Sequence, residues 1–289
     1  MKIYKSIIIF CFLAFFLTWF WIFLYSAGQA NIIPFKIGSV YISLFGAFGP
    51  TLAGIITIYL FSGKEGIKNT FKNLINFRIA VKYYLIALFF ETILFIIIVL
   101  ASVFLDYQKP VINTNILITS GINFFYNVFF CSLISGLGEE LGWRGFFLPG
   151  LQLKFSPLFA SLITSIIVSL WHLKSNALIE LLKGNYILFS NLFFPDMGQR
   201  IMITIPVIFF ITYLFNKTGG SLLIMVLFHG SSNASFEWVK EIYRGNLPDF
   251  FFPAFIIMLW IIGLSFIPIL IKQKQKGEIV NLKTLLPIK

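Results

Sequence analysis

The chain has 289 residues, 58% of them hydrophobic, 19% aromatic and 11% charged, with a formal net charge of +11 and a mean hydropathy of +0.91. An average soluble domain is about 25% charged, so a soluble globular protein is excluded, and the long apolar runs exclude disorder, a coiled coil and a porin-type barrel of alternating strands. What remains is an all-α polytopic membrane protein, whose basic residues punctuate the ends of apolar runs and so point to an anionic bilayer surface and not to nucleic acid.

A membrane-crossing helix needs about 20 apolar residues. That ruler predicts eight spans, over 6–26, 38–62, 81–105, 115–148, 157–173, 199–215, 219–237 and 250–271. The first follows Lys2 and Lys5 and precedes the small residues Gly28 and Ala30, which gives it some likeness to a signal peptide. Its apolar run exceeds the roughly 7–15 residues of a signal core, so a retained helix is expected. Cys11 and Cys131 sit inside apolar runs and read as small buried hydrophobes. In the second span, Gly46, Gly49, Pro50 and Gly54 suit close helix approach.

After the second span, Ile67, Phe71, Leu74 and Ile75 recur at helical spacing opposite Lys68, Asn69, Lys72 and Asn73. This pattern predicts an amphipathic helix in the interface, within 64–80. With the N-terminus inside, 15 of the 22 basic residues fall in inner segments, which puts both termini in the cytoplasm. The chain then divides into three regions: 1–114 with three spans and the interfacial helix, 115–237 with spans four to seven, and 238–289 with the last span and a basic cytoplasmic tail.

Charges inside spans are costly, so each is a candidate functional group. Glu91 lies at the centre of the third span, where it could hydrogen-bond structurally, contribute to a polar cluster or mark an ion pathway. The fourth span carries Gly138-Glu139-Glu140-Leu141-Gly142-Trp143-Arg144. On a helix Glu140 and Arg144 share a face and can pair, while Glu139, turned by about 100°, is left to face a cavity as a general base. The two histidines, His172 and His229, both lie in apolar spans, and Asn233 is one turn from His229. At 1.5 Å per residue from the inner ends, Glu139, His229 and His172 lie about 13, 15 and 22 Å deep. They can meet only if the fourth span continues past Gly138 to Leu148.

Glu139-Glu140-x-x-x-Arg144, then His172 at the end of an apolar helix, then His229-x-x-x-Asn233 resembles the type II CAAX prenyl endopeptidases and the wider CAAX protease and bacteriocin-processing family of intramembrane proteases, over about residues 115–237. One position departs: the family usually has Phe four residues before the second-motif His, where this chain has Val168. The resemblance implies an eight-helix endopeptidase cutting near the C-terminus of a prenylated or otherwise membrane-associated substrate. It further implies that Glu139 and His172 activate water, that His229 and Asn233 stabilise the oxyanion, and that Arg144 supports Glu140.

No Gly-x-Ser-x-Gly elbow is present, and Ser231 and Ser232 lack an acid-base pair of their own, so a serine mechanism is not expected. Zinc held by Glu139, His172 and His229 is the competing chemistry; the favoured reading is metal-free and without a cofactor. The other function classes are a bacteriocin-processing or self-immunity protein of the same family and an ion-coupled transporter, although no inverted repeat is evident.

Overall fold

The computed structural model describes residues 3–105, 107, 109–111 and 113–286; Lys2 and Lys289, two of the 15 basic residues counted as inner, lie outside them. Among the described residues the chain is helical throughout, without strands: α1 (Ile3–Gln29), α2 (Gly49–Leu74), α3 (Val81–Phe104), α4 (Thr114–Cys131), α5 (Leu137–Gly142), α6 (Leu148–Gln152), α7 (Pro157–Trp171), α8 (Ser175–Leu182), α9 (Tyr186–Lys217), α10 (Leu222–Ile242), α11 (Phe251–Gln275) and the short α12 (Leu282–Leu285). Short π-helical segments at Ser132–Gly136 and Trp143–Phe147 join neighbouring helices end to end, and another at Ile42–Gly46 leads into α2.

Each of the eight predicted spans is occupied by a helix, but they are not equivalent. Six stretches are each long and apolar enough to cross a bilayer: Ile3–Gln29, Ile42–Leu74, Val81–Phe104, Thr114–Gln152, Tyr186–Lys217 and Phe251–Gln275. A seventh exists if α7 and α8, bent by 52°, form one broken span. The eighth, α10, is long enough but interrupts its apolar run with His229, Ser231, Ser232 and Asn233. The chain is an integral membrane protein whose outward side chains are apolar, with Ile8 and Phe12 about two-thirds exposed, as a lipid-facing surface requires.

Several boundaries differ from those predicted. The fourth span runs to Gln152, past Leu148. α9 begins at Tyr186, well before residue 199, because the Asn185 side chain caps it by accepting from the Leu188 amide and the helix then carries Pro195, Asp196 and Arg200 inside it. An apolar ruler breaks at those residues, although the helix does not. The segment expected as an interfacial helix over 64–80 is helical only to Leu74. It is set off from the rest of α2 by Gly63, whose φ of 66° lies in the left-handed region that glycine tolerates. Beyond Leu74, the Asn76 side chain accepts from the Arg78 amide and turns the chain towards α3.

The two cysteines are free and half-buried, not fully buried as expected; each sits on a helix that keeps one face towards lipid. The basic tail is also not a loose extension. Val280, Leu282, Leu285 and Leu286 are buried, and a knot of amides ties the tail to the helix ends. Asn216 donates to Gln152 and Gln273 at 3.1 Å each, Gln152 donates to the Val280 carbonyl at 2.7 Å, and Asn216 accepts from the Val280 amide at 3.1 Å.

Small residues set the helix packing around the fourth span. A Cβ built on Gly54 would lie 2.8 Å from Gly142 Cα, one on Gly138 would lie 2.8 Å from the Ala47 carbonyl oxygen, and one on Gly142 would overlap the Pro50 carbonyl. On the opposite side, a Cβ on Gly136 would lie 2.7 Å from the Val226 carbonyl oxygen, and one on Gly230 would overlap Ser132. The glycines therefore let α5 and the π segment before it touch α2 on one side and α10 on the other, backbone to backbone. Gly46 has no such close neighbour; its carbonyl instead accepts from the Thr18 hydroxyl at 2.7 Å.

Candidate active site

Glu139 and Glu140 sit in one and a half turns of α-helix between two π segments, Ser132–Gly136 and Trp143–Phe147. A π segment adds a residue to a turn and so rotates the next turns about the axis, a device frequent at functional sites. Gly138 and Gly142 flank the glutamates one turn apart, so the carboxylates emerge from a segment clamped on both sides by backbone contact. Phe10, Trp143 and Phe147 pack behind it, Phe10 against Trp143 with ring centroids 5.3 Å apart and 79° between planes and against Phe147 at 5.3 Å.

Glu140 is 2% exposed and Glu139 7%. Glu140 Oε1 accepts from Arg144 Nη1 at 2.9 Å and from His229 Nδ1 at 2.8 Å. Because a carboxylate only accepts, Nδ1 of His229 carries the proton in this bond, and Nε2 is its other functional atom. That Nε2 lies 3.7 Å from Glu139 Oε1. Glu140 Oε2 and Arg144 Nε are buried without a hydrogen-bond partner. The adjacent glutamates are therefore in different situations. Glu140 is the centre of an Arg144–Glu140–His229 chain, and Glu139 approaches His229 without bonding to it. The resemblance implied His229 as an oxyanion donor beside Asn233; the structure ties it first to Glu140.

His172 is not inside a helix, as the predicted span had it, but caps the C-terminus of α7 at φ −78° and ψ 54°, where the chain bends into α8. Its Nδ1 lies 2.8 Å from the Val168 carbonyl oxygen. A carbonyl only accepts, so Nδ1 donates and Nε2 is left as the basic nitrogen. The departure at Val168 leaves this bond intact, since any residue supplies that carbonyl, while the Val168 side chain lines the cavity. The ring packs edge-on against Trp171 at 4.6 Å. Trp171 in turn is held by α1, accepting from Trp19 Nε1 at 2.9 Å and donating to the Ala14 carbonyl at 3.3 Å.

Glu139, His172, His229 and Asn233 all line one cavity of about 330 Å³. Glu91 is part of the same wall, where it accepts from the Ser232 hydroxyl at 2.6 Å. The serines beside His229 are thus occupied structurally, since Ser231 also donates to the Phe228 carbonyl at 2.9 Å. Arg200 lines the cavity too. Counted from sequence, Arg144 was among the 15 inner basic residues and Arg200 among those left outside them; both line the cavity. The only signal for Arg200 was its position four residues after Asp196 at the head of an apolar run, which reads equally well as the end of a loop. Among the described residues no three His, Cys, Asp or Glu side chains are grouped as a metal site, and each histidine uses Nδ1 for a protein partner and keeps Nε2 beyond it.

This geometry coincides with the region of the chain that resembles known proteins. Residues 121–235 match the family model described as type II CAAX prenyl endopeptidase Rce1-like. A curated relative, CAAX prenyl protease 2 of Methanococcus maripaludis, is 31% identical over 114 residues, which cover 39% of this chain and 41% of the relative. The matched segment holds the Glu139-Glu140-x-x-x-Arg144 stretch, His172, and the His229-x-x-x-Asn233 turn, and over that segment the chain is similar to the Rce1-like type II CAAX prenyl endopeptidases.

Proposed function

We propose that the protein is a metal-free intramembrane endopeptidase that hydrolyses a peptide bond near the C-terminus of a prenylated substrate. The observation that carries this reading is the convergence of Glu139, His172, His229 and Asn233, from three separate helical segments, on a single cavity within the membrane-spanning bundle. In the proposed reaction Glu139 and the basic Nε2 of His172 hold a water and take its proton as the oxygen attacks the scissile carbonyl. Asn233 donates a neutral hydrogen bond to the developing oxyanion. His229 can add a second from Nε2 only as the imidazolium, because its Nδ1 proton is held by Glu140. The abstracted proton then passes to the leaving amine as the C–N bond breaks. In this reading the excess of basic residues in the inner segments puts both termini on the cytoplasmic side, where the peptide would enter while its lipid stays between helices.

The test is purified protein in detergent with a fluorogenic farnesylated CaaX peptide and the same peptide without lipid. Cleavage of the lipidated peptide at least about tenfold faster supports the reading. Equal turnover at matched concentration removes the prenyl requirement and favours a broader processing enzyme. Exhaustive chelation should leave activity intact; loss restored by stoichiometric zinc would turn Glu139, His172 and His229 into ligands.

A further inference from the structure

A second cavity of about 240 Å³ lies against the first and shares three residues with it, Glu139, His172 and Arg200. The remainder of its wall comes from α1, the π segment at Ile42–Gly46 and the turn between α7 and α8, including Ile22, Ile42, Ala47 and Leu173. The acid-base pair of the proposed reaction thus stands at the boundary between two chambers, the second of which mixes these aliphatic side chains with Thr18, Ser43, Trp171 and Lys174.

Arg200 is the cation at that boundary. Among the described residues around the two cavities, Arg144 is paired with Glu140 and Lys174 with Asp196. Arg200 feels the negative charge of Asp196 and Glu139, but its Nε is buried with no hydrogen-bond partner. A buried guanidinium N–H without an acceptor is costly unless something that arrives supplies one. Guanidinium geometry matches a carboxylate.

We propose that Arg200 anchors the free C-terminal carboxylate of the substrate, so that the last few residues occupy the second cavity and the scissile bond is drawn across Glu139 and His172. This rests on the peptidase reading above. A peptide cut near its C-terminus always carries that carboxylate a few residues beyond the scissile bond, and three extended residues span about 10 Å. The carboxylate is chemically unchanged by hydrolysis, so Arg200 is a positioning residue: water adds to the scissile carbonyl, the leaving amine gains a proton, and the released peptide departs with its carboxylate intact.

The experiment compares two farnesylated peptides that differ only in ending as the free carboxylate or as the carboxamide, on the wild-type chain, Arg200→Gln and Arg200→Lys, with melting temperatures in detergent measured alongside. The wild type should prefer the carboxylate by about 10- to 100-fold in kcat/KM, as for a charged hydrogen-bonded pair, with the difference carried mainly by KM. Arg200→Gln should bring the ratio to within about threefold of one, and Arg200→Lys should keep part of it. Wild-type enzyme that cleaves both peptides equally overturns the anchor while leaving the peptidase reading intact, as does an Arg200→Gln variant that slows both and keeps the ratio. If neither peptide is cleaved by the wild type, the peptidase reading itself fails, and the anchor with it. Should Arg200→Gln not fold, the wild-type ratio together with Arg200→Lys decides.

Discussion

Two buried polar clusters sit in this bundle, and they are built on opposite principles. The knot of Gln152, Asn216 and Gln273 is neutral, joins α6, α9, α11 and the C-terminal tail, and satisfies most of its hydrogen-bonding atoms internally, with Gln273 Nε2 the exception. The cluster of Glu139, Glu140, Arg144 and His229 is charged, leaves Glu140 Oε2 and Arg144 Nε without partners and opens onto a cavity. A satisfied amide network rigidifies and has no chemistry left to perform. An incompletely satisfied charged one is costly to bury and persists where water or substrate completes it. The contrast separates a polar cluster closed on itself from one that opens onto a cavity, without reference to any motif.

The contrast can be broken at four positions. The largest effect is expected from Glu139→Gln, which keeps shape and removes the base. Activity should fall about 10²–10⁴-fold while the melting temperature in detergent stays close to wild type; a stable, active variant would exclude Glu139 as the base. Glu140→Gln comes next. It leaves Arg144 and His229 without their shared counter-charge, and it should cost about 3–5 kcal/mol of stability as well as activity. A stable but inactive Glu140→Gln would exchange the roles of the two glutamates.

The amide knot should respond differently. Asn216→Ala strips partners from Gln152, Gln273 and the Val280 amide and should lower stability by about 1–3 kcal/mol, whereas peptide cleavage by the folded fraction stays within a fewfold of wild type. Cleavage lost without any loss of stability would make the knot part of the functional machinery. The smallest effect is expected from Gln273→Leu, which deletes one acceptor together with the orphaned Nε2, so the two changes oppose each other and the net should stay within about 1 kcal/mol. Thermal melts resolve it, and a larger drop would show that the tail depends on Gln273 itself.

Much of the site was legible in the chain because charges are so scarce in its apolar runs. Glu139, Glu140, Arg144, His172, His229 and Asn233 stand out against Phe, Ile and Leu, and the four-residue spacing of Glu140 and Arg144 predicts the pair seen at 2.9 Å. The amide knot was not legible, since Gln152, Asn216 and Gln273 are 57 to 121 positions apart in sequence and none has a local partner to announce it. Arg200 was missed because it fell at the very start of the span predicted over 199–215, where a basic residue reads as a span end, whereas the helix begins at Tyr186 and carries it in its interior.

Composition alone determined that this is a helical membrane protein, because a chain with 11% charged residues cannot cover a water-exposed surface, and hydrogen bonding in lipid leaves little besides helices for such apolar runs. Local spacing determined which polar residues could pair along one helix. Tertiary structure alone decided that Glu140 is shared between Arg144 and His229, that Glu139 is the neighbouring carboxylate left without such bonds, and that Arg200 completes the cavity wall. Those relations depend on how helices rotate and cross. Here rotation is set by π turns on either side of α5, and crossing by glycines whose missing side chains let backbones touch, so neither can be read from residues considered one helix at a time.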